Sequence, residues 1–195
     1  MIKKYKLIED DTIEYCGYKL KRIEYLTTFG DINIGDKGGY IESEFNLSHQ
    51  GNCYIGGNAK VYYNATVCDD AVINDKAIVR KNATISGKAK VYGNAIVTDI
   101  AIVTDNAMVF DNAAIGGNAQ VYGNAKIFNR ALITGHSMVY GNAEIFGDAE
   151  VYGEAKVSDD VKVYGNAKIY DKAQVYGNAI IREDDILYGN ANVSE

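Results

Sequence analysis

Aliphatic residues recur at every sixth position along most of the chain. Steps of six from Ala59 to Ala191 visit 23 positions, of which 20 are alanine. The three exceptions are Ser137, Val161 and Asp185. Steps of six from Val61 to Val193 meet only aliphatic residues, and every one except Leu187 is valine or isoleucine. A six-residue period matches neither the α-helical turn of about 3.6 residues nor the two-residue alternation of a plain β-strand.

The period fits short strands joined by tight corners. In a hexad such as VYGNAK (121–126), the β-branched residue points inward, the tyrosine points outward, Gly-Asn turns the corner, and the alanine points inward again. Glycine and asparagine tolerate the positive φ that such corners need. Three hexads close an 18-residue coil, and coils stack about 4.8 Å apart. The sequence therefore predicts an all-β fold, a parallel β-helix of about seven to eight coils over residues 58–195.

The VYGNA hexads resemble the hexapeptide-repeat family, whose coils form a left-handed parallel β-helix. The resemblance covers about 70% of the chain, residues 59–193. The left hand is implied by this resemblance alone. The segment GDKGGYIESEFNLS (35–48) also resembles the leader of small hexapeptide-repeat proteins of bacteria and phages. The family includes acyltransferases, γ-type carbonic anhydrases and members without known activity, so the resemblance implies a fold and leaves the function open.

The first 57 residues lack the repeat. Residues 5–9, 12–15 and 18–26 have the composition of three short strands, with turns at Asp10-Asp11 and Cys16-Gly17. A glycine-rich segment follows and enters the six-residue register at about Cys53, which takes the small inward position. We therefore expect an N-terminal β-meander cap and an irregular first coil over 1–57, followed by the β-helix over 58–195.

An aromatic ladder is predicted along one outer face. When the repeat is aligned in steps of 18, one outward position holds five consecutive rings, Tyr92, Phe110, Phe128, Phe146 and Tyr164. Basic side chains accompany them at Lys90, Lys126, Lys162 and Arg182. Exposed phenylalanines in a row indicate a surface that meets a partner. We expect a homo-oligomer interface, with a trimer favoured, or a groove in which a planar, nucleotide-like ligand stacks on the rings and places its phosphates near the basic groups. The two interpretations are compatible, because ligands of hexapeptide-repeat trimers often bind between subunits.

A second face combines aliphatic and small residues, and it is expected to pack against the N-terminal segment or another protomer. Its outward residues are Ile78, Ile96, Ala114 and Leu132, beside Arg80, Thr98, Gly116 and Thr134. The corner residues Asn106, Asn124 and Asn142 are expected to bond their amides along the stack. Aspartates replace the corner glycine on all three edges, which favours turn residues over a calcium site.

Composition narrows the function. The 195-residue chain is 47% hydrophobic with a formal net charge of −6, and it has no basic block, which argues against nucleic-acid binding. No apolar run approaches the roughly 18 residues of a membrane span, so we expect a soluble cytoplasmic protein, in the host cytoplasm if a phage encodes it. Three cysteines without CxxC spacing favour neither a disulfide framework nor a zinc site. No metal or other cofactor is expected.

Histidine is scarce, since the chain has only His49 and His136. Resemblance to γ-type carbonic anhydrases would require three histidine ligands per zinc, and we reject that assignment. Resemblance to the acyltransferases would require one histidine base near a subunit cleft. His136, with Glu154 one coil above it, is the candidate. However, no insertion interrupts residues 59–193 to supply acyl-CoA-binding loops.

The leading interpretation is a non-catalytic, homo-oligomeric β-helix scaffold that in one version sequesters a small anionic, nucleotide-like ligand of a bacterial defence system. One alternative is a CoA-dependent acyltransferase with His136 as general base. A second is a purely structural protein that assembles end to end through its last coil.

Overall fold

The computed structural model of the chain describes residues 3–194. Short parallel strands separated by tight corners recur along most of this range and stack with an 18-residue register, in which Lys90 pairs with Met108 and Met108 pairs with Lys126. Each coil is bonded to the next through the backbone; Lys90 N, for example, donates to Ala107 O at 2.9 Å. The predicted all-β, parallel solenoid is confirmed, with about nine turns once the irregular first coil is included.

The strands form three sheets, each making one wall of the solenoid. The first sheet contains β1 (Tyr5–Tyr15), β2 (Tyr18–Tyr25), β3 (Lys37–Ile41), β5 (Lys60–Val61), β8 (Ile78–Val79), β11 (Ile96–Val97), β14 (Ala114–Ile115), β17 (Leu132–Ile133), β20 (Glu150–Val151), β23 (Lys168–Ile169) and β26 (Ile186–Leu187). The second sheet contains β4 (Tyr54–Ile55), β7 (Val72–Ile73), β10 (Lys90–Val91), β13 (Met108–Val109), β16 (Lys126–Ile127), β19 (Glu144–Ile145), β22 (Lys162–Val163) and β25 (Ile180–Ile181). The third sheet contains β6 (Thr66–Val67), β9 (Thr84–Ile85), β12 (Ile102–Val103), β15 (Gln120–Val121), β18 (Met138–Val139), β21 (Lys156–Val157), β24 (Gln174–Tyr176) and β27 (Asn192–Ser194).

The repeat's small and β-branched residues fill the interior. From Ala59 to Ala179, these inward positions expose at most 1% of their surface. Ser137 replaces an alanine without leaving an unpaired hydroxyl, because its Oγ donates to Thr134 O at 2.8 Å. The interior is therefore a packed core, and any binding site must lie on the outer faces, at the corners or at the ends.

The corners use positive φ, as the composition predicts. Asp99 has φ 63°, and its Oδ2 accepts from Gly117 N in the next coil at 2.9 Å. The same carboxylate-to-backbone contact recurs at Asp69, Asp75, Asp105, Asp111, Asp159 and Asp171. The predicted amide ladder is also present, since Asn106 Nδ2 donates to Asn124 Oδ1 at 3.1 Å and Asn124 donates onward to Asn142 at 3.0 Å. Aspartates and asparagines at the corners thus bond successive coils together.

The first coil is longer than the others. Leu47 forms a bridge with Val67, twenty positions later, whereas Tyr54 pairs with Val72, eighteen positions later. The two extra residues therefore lie between Leu47 and Tyr54. Cys53 is fully buried in this coil, in the small inward position predicted for it.

The N-terminal meander differs from the prediction in one respect. The expected turn at Asp10-Asp11 is wrong, because β1 runs unbroken from Tyr5 to Tyr15 and pairs with β2 on both sides of this dipeptide. The register shifts between Leu7 and Thr12, so these residues bulge. The bulge places the Asp11 carboxylate 3.2 Å from Arg22 Nε and from Lys37 Nζ. The second predicted turn is confirmed, with positive φ at both Cys16 and Gly17, as a two-residue hairpin requires.

The hairpin caps the first coil through two tyrosines. The Tyr25 hydroxyl donates to Ile55 O at 3.0 Å and accepts from Ile55 N at 2.9 Å. The Tyr5 hydroxyl donates to Leu47 O at 2.7 Å. Burial raises the pKa of both phenols well above the ordinary value. These bonds satisfy backbone groups at the end of the solenoid that no further coil reaches.

The hairpin also covers part of the second face predicted from the sequence. Leu20 from β2 packs with Tyr40 and Tyr62, and Ile78 packs against this cluster. Farther along the same face, Leu132 is 37% exposed. The only helix within residues 3–194 is a single 3-10 turn (Glu44–Asn46), and none in that range is long and apolar enough to cross a membrane.

Candidate functional site

The five predicted rings form a continuous stack on the outer side of the second sheet, which we call the ladder face. Adjacent ring centroids along Tyr92, Phe110, Phe128, Phe146 and Tyr164 lie 4.9 to 5.0 Å apart, with planes within 11° of parallel. This spacing matches the roughly 4.8 Å rise from coil to coil and lies within the range of about 4.5–7 Å at which aromatic pairs interact. Each ring is half-buried. The stack is about 20 Å long, four steps at this spacing.

The backbone register sets this alignment. On this sheet, each residue before an inward Val or Ile pairs directly with the corresponding residue of the next coil. The ring-bearing residue two positions later therefore lies directly above the ring of the previous coil. A one-residue insertion between Tyr92 and Tyr164 would have displaced the rings on either side of it from one another. The ladder is therefore a direct product of the uninterrupted repeat.

The basic side chains beside the ladder fall into two groups. Lys126 Nζ lies 2.9 Å from Glu144 Oε1 in the next coil, so its charge is already balanced. Within residues 3–194, Lys90, Lys162 and Arg182 have no carboxylate oxygen within 4.0 Å. All three are exposed. The sequence-predicted set is thus brought to one face, and three of its four cations have no ion-pair partner among residues 3–194.

The two ends of the ladder differ in charge. At the Tyr92 end, a depression of about 420 Å³ is lined by Lys90 together with the carboxyl-bearing residues Asp31 and Asp75. Burial, followed by nearby Asp111 and Asp75, raises the pKa of Tyr92. Carboxylates repel a phosphate, so this end is unsuited to an anionic ligand. The Tyr164 end, beside Lys162 and Arg182, is the cationic end.

His136 lies at an exposed corner, as predicted, but its neighbour is an amide. Its Nε2 is 2.8 Å from Asn118 Nδ2 in the previous coil. Glu154, the proposed partner, has its carboxylate 3.9 Å from Lys172 Nζ. Among residues 3–194, no ion pair joins His136 to Glu154 within 4.0 Å. The geometry adds nothing in favour of His136 as a base, and the acyltransferase assignment stays a prediction.

The sequence reasoning missed two further ring stacks. Tyr122 and Tyr140 stack on the third sheet at 4.9 Å. Tyr152, Tyr170 and Tyr188 stack on the first sheet at 4.9 and 5.7 Å. The same 18-residue alignment would have found both, since each is spaced by 18. They consist of tyrosines alone, whereas the ladder face has three phenylalanines at its centre.

Comparison with known proteins adds no assignment. No protein-family model matches the chain, and no curated protein matches it at a significant level. No group of three or more histidine, cysteine or acidic residues in the described part of the chain is placed to hold a metal ion. The outer faces of the solenoid therefore carry the features from which a function can be inferred.

Proposed function

We propose that the chain is a β-solenoid scaffold that works as a homo-oligomer, with the ladder face packed against a second copy of the same chain. The observation that carries the proposal is the unbroken stack from Tyr92 to Tyr164, which no other element of the described chain covers. Buried apolar area contributes about 25 cal/mol per Å². Covering the free edges of five rings is therefore favourable, whereas leaving three phenylalanines in water is not.

The extent of the face constrains how copies associate. Its strands run from β7 to β25, six steps of about 4.8 Å, which gives a length of about 29 Å. At about 3.3 Å per extended residue, a wall of four to five residues is about 15 Å wide, so its flat area is roughly half of the 800 Å² or so that each partner contributes to a standard interface. Adjoining corners must therefore contribute, as they do when each protomer touches two neighbours. This agrees with the trimer that the resemblance to hexapeptide-repeat proteins favours.

The charges on the face are compatible with self-association. The Lys126–Glu144 pair lies beside the central rings and is neutral as a unit. Lys90 and Lys162 lie toward opposite ends of the stack. Like charges are thus kept away from the apolar centre, which is the arrangement of a protein–protein interface with an apolar core and a polar rim.

Light scattering coupled to size-exclusion chromatography tests the proposal with a matched pair of variants. Phe128→Lys places a charge at the centre of the ladder face, and Tyr170→Lys makes the same kind of change in the middle of the tyrosine stack on the first sheet. The wild-type chain is expected to elute at a multiple of 21.3 kDa, Phe128→Lys at the mass of one chain, and Tyr170→Lys at the wild-type mass. A monomeric wild type, or equal dissociation by both variants, would refute the proposal.

A second function is favoured by the free cations at the Tyr164 end. Ring faces beside Lys162 and Arg182 suit a planar ligand with a phosphate, such as a nucleotide. Adenosine 5′-monophosphate is a suitable probe for calorimetric titration. Binding that is lost in the double variant Lys162→Ala, Arg182→Ala and kept in Lys90→Ala would support a ligand groove, and binding that survives the double variant would exclude this location.

A further inference from the structure

A separate pocket lies where the tip of the hairpin folds over the first sheet. It has a volume of about 500 Å³ and is lined by Tyr18 from the hairpin and by Tyr62, Tyr63, Arg80 and Asn82 from the solenoid. Volumes of about 300–1,000 Å³ are typical of small-molecule sites. The pocket is on a different sheet from the ladder face, and nothing in the proposed oligomer uses it. We call it the hairpin pocket.

Its walls are aromatic. The Tyr18 ring lies 5.3 Å from Tyr62 in a tilted arrangement and 5.8 Å from Tyr63 edge to face. Tyr15 meets Tyr62 from the hairpin side, edge to face at 6.0 Å. Three tyrosine rings therefore surround the pocket in different orientations, which gives a planar guest both edges and faces to contact.

One polar group in the pocket has no partner. Tyr62 is 2% exposed, and its hydroxyl is buried without a hydrogen bond in the structure. Burial raises the pKa of this phenol, and the neighbouring Arg80 acts in the opposite direction. A buried hydroxyl that bonds to nothing costs about 1–3 kcal/mol, so native proteins rarely keep one without a reason. The other buried tyrosine hydroxyls at this end, on Tyr5 and Tyr25, are bonded to backbone groups.

The residue that follows Tyr62 has a strained backbone. Tyr63 has φ 62° at a corner where most coils have glycine, aspartate or asparagine. An aromatic residue in the left-handed region costs roughly 1–2 kcal/mol. The strain brings the Tyr63 ring to the mouth of the pocket, where it is 47% exposed. The buried hydroxyl of Tyr62 and the positive φ of Tyr63 thus bear on the same pocket.

The charge in the pocket comes from Arg80. Its Nε donates to Thr98 Oγ1 at 3.2 Å, which holds the side chain in place, and it has no carboxylate within 4.0 Å among residues 3–194. Lys81 is also on the rim, but Asp99 Oδ1 lies 2.5 Å from its Nζ and balances its charge. Asn82 accepts from Asn64 at 3.0 Å through its oxygen, which leaves its amide nitrogen as a donor. Among residues 3–194, no aspartate or glutamate lines the pocket.

We propose that the hairpin pocket binds a small planar aromatic anion, with its ring between Tyr18 and Tyr63 and its carboxylate or phosphate on Arg80. The terminal nitrogens of the guanidinium present the fork that such groups accept from. A small rotation of Tyr62 lets its hydroxyl donate to the same anion and satisfies the buried group. The ligand class follows from the combination of ring walls and one unbalanced cation.

Calorimetric titration with matched probes tests the site on the intact chain. The probes are 1-naphthyl phosphate and 1-naphthoate, which have ring and anion, 1-naphthol, which has the ring alone, and inorganic phosphate, which has the anion alone. We expect one aromatic anion to bind per chain, about tenfold or more tightly than 1-naphthol or inorganic phosphate. Preference for the phosphate or for the carboxylate identifies the anion. Absence of binding by both aromatic anions, or equal binding by inorganic phosphate, overturns the proposal.

Three variants locate the binding. Arg80→Gln is expected to lower the affinity for the aromatic anion by about tenfold or more. The matched control is Arg130→Gln, at an arginine that Asp148 already pairs at 2.6 Å, and it should leave the affinity unchanged. Tyr62→Phe is expected to weaken binding without lowering the melting temperature of the free protein, because the buried hydroxyl makes no hydrogen bond of good geometry in the structure. Undiminished affinity in Arg80→Gln places the ligand elsewhere and refutes the site. A Tyr62→Phe protein that melts earlier but binds normally shows that the hydroxyl is structural and refutes its role.

A chemical readout is independent of affinity. Cys16 lines the pocket and is exposed, while Cys68 on the third sheet is partly exposed and serves as an internal reference. Saturating 1-naphthyl phosphate is expected to slow alkylation of Cys16 by iodoacetamide and to leave the rate at Cys68 unchanged. Equal rates at Cys16 with and without the probe contradict binding in this pocket.

Discussion

Removing one ring from the ladder should have an effect that depends on its position in the stack. Phe128 contacts two rings, Phe110 and Phe146, each at 4.9 Å, whereas Tyr164 contacts only Phe146, at 5.0 Å. A stacked pair contributes about 0.5–1.5 kcal/mol beyond the area it buries. Phe128→Leu keeps an apolar side chain and loses two such contacts, about 1–3 kcal/mol. Tyr164→Leu loses one, about half as much.

Native-state hydrogen exchange is the appropriate assay, because a solenoid opens locally and each coil contacts only its neighbours. The amides of β13, β16 and β19 should lose about twice as much protection free energy in Phe128→Leu as the amides around Tyr164 lose in Tyr164→Leu. Measurements at a concentration where the chain is monomeric separate stacking from association. Equal losses at the two sites, or no loss at either, would refute the stacking argument.

Three further predictions concern the corners and the cap. Gly135→Ala should lower the free energy of unfolding by about 2–5 kcal/mol, because the added Cβ would lie 2.7 Å from backbone atoms of the next coil. At Gly189 an added Cβ would meet no described atom within 4 Å, so Gly189→Ala should lower it by only about 1–2 kcal/mol, the cost of the positive φ. Thermal unfolding of the two variants compares these losses. Hydrogen bonds from Lys81 and from the N–H of Gly117 lower the pKa of Asp99 in the folded state. The ionised carboxylate therefore contributes fully to the free energy of unfolding above its unfolded-state pKa, and the contribution is lost as pH falls through the folded-state pKa. Stability of Asp99→Asn, measured by acid unfolding, should not show this loss. Because burial raises the pKa of Tyr25, this phenol ionises only in the unfolded state from about pH 10 upward, and the free energy of unfolding falls as pH rises. Tyr25→Phe should be less stable than the wild type at about pH 8, since it lacks the hydrogen bonds of the hydroxyl. Denaturant titrations should show that it loses less unfolding free energy than the wild type between about pH 8 and pH 11.

The regular part of the fold could be predicted from sequence because one local rule repeats without interruption. A fixed six-residue period determines which residues are inward, and the absence of insertions fixes the 18-residue register. The stack from Tyr92 to Tyr164 follows from that arithmetic. Tyr152, Tyr170 and Tyr188 have the same 18-residue spacing, so the sequence contains an equally plain signal for their stack.

The N-terminal part could not be predicted in the same way, because its contacts are non-periodic. The Asp10-Asp11 pair has the composition of a turn, yet β1 continues through it as a bulge, which places the Asp11 carboxylate between Arg22 and Lys37. Composition alone does not distinguish a turn from a bulge. The hairpin pocket is beyond sequence reasoning for a related reason, since Tyr18 reaches Tyr62 only after the hairpin has folded over the first sheet.

If a second copy of the chain covers the ladder face, hydroxyl-radical footprinting will detect the protection of its rings. Oxidation of Phe110, Phe128 and Phe146 is measured at protein concentrations above and below the dissociation midpoint, with Tyr152 and Tyr170 as reference rings on another face. We expect the phenylalanines to become protected as the protein concentration rises, whereas the reference tyrosines do not. Equal oxidation of the phenylalanines at all concentrations would show that the ladder face stays open to solvent and that no second copy covers it.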